Sequence, residues 1–157
     1  MRNIKVLLTI CFILTFGFAT YQPADAAKPV KEQSETSIPM LASLSQISAN
    51  QLQVTYDQPV DQAKGMDPKN YWIQSTTEQT PTNIATLGMN DKVNNSNSLT
   101  AEKVAIQASG NNGQSFVLTF QQNIAKGKSF KMIICYVTRP GAPPYSGDNG
   151  SATFIGK

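Results

Sequence analysis

An apolar/polar alternation of period two, recurring in short runs, restricts this chain more than any other feature. Leu52, Val54 and Tyr56 alternate with Gln53 and Thr55; Val104 and Ile106 are the apolar pair of Lys103–Gln107; Phe116, Leu118 and Phe120 alternate with Val117 and Thr119. Successive side chains of a strand point to opposite faces, so each run describes a strand with one dry face and one wet face. Ser129–Val137 (SFKMIICYV) is the longest apolar run, and its β-branched and aromatic content favours strand over helix. Alternation puts Phe130, Met132, Ile134 and Tyr136 on one face, and Lys131, Ile133, Cys135 and Val137 on the other.

Shorter runs complete the set. Pro39–Ile47 reads as a first strand entering at an edge, Tyr71-Trp72-Ile73 as a strand with Trp72 facing outward, and Ala152–Ile155 as a closing strand. Ile84, Leu87 and Met89 mark one more strand of less regular alternation. Turn residues separate the runs. Pro59 cannot donate to a central ladder and ends its strand, and Asn112-Gly113 between two alternating runs is a hairpin signal. Asp61–Lys69, punctuated by Gly65 and Pro68, reads as a polar crossing loop, and Thr138–Ser151, rich in proline and glycine, as an irregular one. Leu41, Leu44 and Ile47 are spaced as on a helix, but in a short, Ser-rich run; seven or eight short strands at near-regular spacing, with no convincing helix, predict an all-β sandwich of antiparallel strands.

The chain opens with a different pattern. Arg2 and Lys5 precede an apolar stretch, Val6–Ala19, which at roughly 14 residues is too short for a bilayer core that takes about 20. Ala24-Asp25-Ala26 then offers small residues where a signal peptidase reads, so residues 1–26 are expected to be a signal peptide and the mature chain to carry no membrane span. Residues 27–39, polar and nearly free of apolar content, read as a disordered tether, leaving 40–157 as the folded domain. Cys11 leaves with the signal, so Cys135 has no intramolecular partner. Export without disulfides fits the outside of a Gram-positive bacterium, secreted or associated with its wall.

The chemistry open to the domain is narrow. The sequence has no histidine, which removes Ser-His-Asp and Cys-His catalysis and the commonest metal ligand. Asp57, Asp61 and Asp67 lie close in sequence, but on a strand end and a loop where turn-making aspartates are the rule. The Asn-rich segment 90–98 carries one carboxylate, Asp91, too little charge for a tight calcium site. Neither enzyme activity, nor a cofactor, nor a metal is therefore expected. A net charge of +3, dispersed along the chain, argues against a nucleic-acid partner. Binding residues are sought instead among exposed aromatics and in the proline-stiffened loop: Trp72, provided that no neighbouring loop or strand covers it, Arg139 and Tyr145.

Tyr56-Asp57-Gln58-Pro59-Val60-Asp61 followed by Asn70-Tyr71, then FVLTF and SFKMIICYVT, resembles the bacterial Ig-like domains of surface-layer and other secreted cell-envelope proteins. The resemblance covers Leu44–Phe154 and departs where a proline-rich insertion ends in Asp148-Asn149-Gly150. It implies an Ig-like sandwich acting as a spacer or adhesive unit, with no shared catalytic residues to carry over. The expected function is a secreted, monomeric, non-catalytic module that binds a cell-wall polymer or an extracellular protein. The alternative is a small ligand-binding or protease-inhibitory protein that works through loop 139–151.

Overall fold

The computed structural model describes residues 37–157; the expected signal peptide and all but the last three residues of the tether lie outside them. Seven strands are formed: β1 (Leu41–Ser48), β2 (Gln51–Tyr56), β3 (Tyr71–Ser75), β4 (Val104–Ser109), β5 (Ser115–Phe120), β6 (Ser129–Cys135) and β7 (Asp148–Ile155). They make two antiparallel sheets, ordered β1-β2-β5-β4 and β3-β6-β7. This partition and order are those of the seven-stranded immunoglobulin constant-type sandwich.

The alternating runs face each other as the period requires. Leu52, Val54, Tyr56, Phe116, Leu118 and Phe120 from one sheet meet Tyr71, Ile73, Phe130, Met132 and Ile134 from the other, and all are buried. Registers Leu52↔Leu118 and Ile73↔Met132 keep these side chains in cross-strand rows. The β4–β5 hairpin turns through Gly110 and Gly113, whose φ values of 76° and 68° suit glycine. Inside β4, Val104 is buried and its expected companion Ile106 only half-buried, at the margin of the core.

Four segments differ from the sequence expectation. The crossing loop holds a one-turn helix, α1 (Gln62–Met66), because Asp61 caps it by accepting from Lys64 N at 3.0 Å; a 3-10 turn, Pro68–Asn70, is capped in the same way by Asp67. The run through Ile84, Leu87 and Met89 forms no strand beyond a single parallel bridge, Gln74↔Leu87. Its backbone nevertheless closes the free edge of β3: Ser75 N donates to Leu87 O, Leu87 N to Ile73 O and Leu99 N to Tyr71 O. β7 starts at Asp148, inside the stretch expected to be irregular.

The fourth difference is a reversal of facing. Tyr136 adopts φ 68° just after a bulge in the β6–β7 ladder, and one left-handed residue moves the next side chain to the opposite face. Val137 therefore enters the core and Tyr136 leaves it, the opposite of what strict alternation assigns. Asn149 holds this exit in place. Its buried side chain accepts from Val137 N at 2.9 Å and donates to Val137 O and Pro39 O, each at 2.8 Å. Residues 37–39 thus already belong to the packed domain, with Pro39 buried.

Two phenols lie inside the core. Tyr71 Oη donates to Gly65 O at 2.6 Å, so its one hydrogen is committed, and across the 2.9 Å contact with Tyr56 Oη it is Tyr56 that donates. A β-carbon on Gly65 would collide with the Phe116 ring, so this carbonyl approaches the phenol only because α1 lies directly on the core. Tyr71→Phe strands both the Gly65 carbonyl and the Tyr56 hydroxyl, and is predicted to cost about 2–3 kcal/mol. Tyr56→Phe removes only a donor to an oxygen that is itself engaged, and is predicted to cost about 1 kcal/mol. Urea unfolding of both variants measures the difference, and equal costs would refute the donor assignment.

Burial pushes both phenols above their ordinary value of 10, Tyr56 well above it. The unfolded chain releases these protons near pH 10 while the folded one retains them, so their contribution is intact below pH 10 and is lost as the pH rises further. Unfolding free energy should therefore fall as the pH climbs past 10, with both phenols contributing to the slope. In Tyr56→Phe the slope from this source should halve, as denaturant titrations at pH 9, 10 and 11 can establish.

Candidate functional site

The three candidate binding residues occupy different surroundings. Trp72 does point away from the core cluster, on the outer face of β3 beside Ile133. It is nonetheless fully buried, because segment 90–98 folds over it as a lid. Its indole N–H donates at 3.0 Å to both Asn94 O and Asn97 Oδ1, and Tyr136 packs edge-on with ring centroids 5.9 Å apart. Of the two readings open for an outward Trp72, exposed or covered by a neighbouring loop, the structure has the second: the asparagines of segment 90–98 satisfy an indole that would otherwise be unpaired. Asn97 Oδ1 also takes Asn94 N, and Asn94 Oδ1 takes Ser96 N and Oγ, so these oxygens are engaged within the lid.

Arg139 and Tyr145, by contrast, are brought together. With Pro39, Thr138, Pro143 and Pro144 they line a cavity of about 80 Å³ at the point where the chain enters the domain. The loop is folded on itself rather than projecting: Ala142 N donates to Arg139 O at 3.1 Å, and Tyr145 Oη to Asp148 O at 3.1 Å. Tyr145 lies over Gly147, where any β-carbon would meet its ring. Its ring is half-buried, and its hydroxyl serves to close the loop.

Across this loop lies a wider, polar cavity of about 590 Å³, lined by Lys64, Asp67, Lys69, Asn70, Asn95, Tyr136 and Ser146. Sequence reasoning missed it because Tyr136 was assigned to the core. The signal that could have raised it is the adjacency of the bulge-prone end of a long strand and a lysine-bearing crossing loop. Neither lysine forms an ion pair among the described residues, where the one salt bridge joins Lys128 to Glu78. Asn70 donates to Lys64 O at 2.9 Å and so fixes the floor.

Asp57, Asp61 and Asp67 each spend a carboxylate oxygen on a backbone N–H, of Met40, Lys64 and Lys69 respectively. No group of three His, Cys, Asp or Glu side chains capable of holding a metal occurs among the described residues. Cys135 is a free, half-buried thiol whose pKa is raised by burial and by nearby Asp148, which lowers its thiolate fraction. Among the described residues no helix is long and apolar enough to cross a membrane.

Strand order and partition define an Ig-type β-sandwich module. Among solved structures the chain is similar to the N-terminal part of the bacterial S-layer protein SbsC, with a TM-score of 0.53 and 18% identity over 76% of this chain and 23% of that one. It is also similar to the S-layer protein rSbsC(31-844), with a TM-score of 0.50 and 17% identity over 76% of this chain and 14% of that one. The chain thus spans less than a quarter of the length of these structures, and at such identity the likeness is one of fold. No protein-family model and no curated protein matches the chain.

Truncating Trp72 to alanine should destabilise the domain by about 3–5 kcal/mol, as expected for emptying a fully packed indole site. Asn97→Ala, which leaves the Asn94 carbonyl as acceptor, should cost about 1 kcal/mol. Because Trp72 is the only tryptophan, its fluorescence reports on the lid directly: weak quenching by acrylamide is expected, and free quenching would contradict the burial.

Proposed function

We propose that this chain is a secreted, non-catalytic, Ig-like binding or adhesion module that acts at the bacterial cell envelope, most simply of a Gram-positive organism. One observation carries the reading: a sandwich fold similar at a TM-score of 0.53 to part of a bacterial S-layer protein. The export signature of residues 1–26 and the absence of histidine agree with it, as do three aspartates engaged in capping backbone groups. The partner is a cell-wall polymer or a protein of the cell exterior, and the module works as a monomer.

The loop that holds Arg139 and Tyr145 is the first contact surface to test, since both side chains border one cavity beside the tether. Purified mature protein should be retained on isolated Gram-positive cell walls and should sediment as a monomer. Tyr145→Ala and Arg139→Ala should each reduce retention several-fold while leaving the unfolding midpoint within a few degrees of wild type. If the wild-type protein stays in the supernatant, the proposal fails. If both variants bind as wild type does, the loop is relieved of the role.

A further inference from the structure

Tyr136, the residue that follows β6, is a conformational anomaly. If all the fold needed at this position were a left-handed residue to turn Val137 inward, glycine would supply it without strain, as it does at Gly110, Gly113, Gly127, Gly141 and Gly150. A tyrosine at φ 68° costs backbone energy, and such residues persist only where their surroundings hold them and commonly where the side chain is used. The surroundings here do hold it: Tyr136 N donates to Gly147 O at 3.1 Å, Val137 N to Asn149 Oδ1 at 2.9 Å, and the ring rests edge-on against buried Trp72. The outcome is a rigidly mounted, half-exposed aromatic in the wall of the largest polar cavity described above.

We infer that this cavity binds an oligosaccharide carrying acidic substituents, carboxylate or phosphate. The face of a sugar ring is apolar C–H surface that packs on an aromatic ring, while its hydroxyls need donors and acceptors, here the exposed Asn95 amide and the Ser146 hydroxyl. Lys64 and Lys69 place two unpaired ammonium groups at the same cavity, and each can serve an anionic substituent as a point charge. Asp67, the one carboxylate in the lining, gives one oxygen to the Lys69 backbone N–H at 3.0 Å and keeps its charge, so the two lysines leave the lining net positive by one. This assignment takes its setting from the envelope-binding reading but names a different surface from the Arg139–Tyr145 loop.

Calorimetric titration of the purified domain tests it, with hexagalacturonate as the carboxylate probe, phosphorylated maltohexaose as the phosphate probe and plain maltohexaose as the neutral control. At low salt at least one acidic probe should bind about tenfold more tightly than the neutral one, and which of them does so identifies the substituent. Lys64→Ala with Lys69→Ala, both exposed, should abolish that preference, a loss of about tenfold, with unfolding unchanged. Tyr136→Asn tolerates the left-handed backbone and should weaken acidic and neutral probes alike. No binding of either acidic probe by the wild type, or equal binding by the double lysine variant, would overturn the inference. So would wall retention that tracks a protein fraction and ignores glycans. Retention on walls that survives in the double variant removes this site and leaves the envelope-binding reading standing.

Discussion

Water is excluded from the layer between the two sheets, so every polar group that enters it must find its partner there. Two phenols and one amide accept that condition, and much of the architecture follows from how they meet it. Tyr71 needs an acceptor and finds the carbonyl of Gly65, which is within reach only because α1 presses side-chain-free backbone onto Phe116. Tyr56 then needs an acceptor of its own and takes the oxygen of Tyr71. The short helix that looks incidental in the connection between β2 and β3 is therefore fixed by a hydrogen-bond requirement of the core. Asn149 does the same at the other end, joining the entry of the chain at Pro39 to the exit of β6.

How much of this was legible in the sequence depends on whether a segment is governed by period or by individual partners. The strands around Val54, Leu118 and Met132 obey strict alternation, and their facing could be read directly. The segment around Leu87 could not. Ile84 and Leu87 are buried like side chains of a strand while Met89 is exposed, but the segment's backbone meets β3 at scattered points rather than along a ladder, and apolar residues alone do not distinguish the two. Trp72 is a related case, since its sequence position left open whether a loop covers it. Its outward direction was correct, and what covers it is a polar lid whose fit to the indole lies in the positions of Asn94 and Asn97, not in their hydropathy. Arg139 and Tyr145 were singled out from a stiff loop, and they do share one cavity, although nothing in residue spacing would have brought Pro39 to the same place.

The reversal at Tyr136 is a third departure from simple alternation, and it shapes the outer surface. A single backbone dihedral moves an aromatic ring from the core to the outer face, where it supports Trp72 on one side and borders open space on the other. The lid, the reversed tyrosine and the proline-rich loop all lie at or beyond the ends of β3 and β6, so irregular chain collects at the end of the sandwich where a regular sheet has run out. That distribution is what a rigid scaffold with variable loops is built to allow.

The pairing of β2 with β5 bridges residues 68 apart in sequence, and the Asn149 amide reaches a carbonyl 110 residues earlier. Contacts so remote give no early reward during synthesis, because loop closure must be paid for before any of them forms. The four-stranded sheet has all its members once Phe120 is made, but the facing sheet lacks β7 until Ile155. The Asn149 amide is thus a clasp that fastens late, shutting the domain onto Pro39 after nearly everything between them has been laid down.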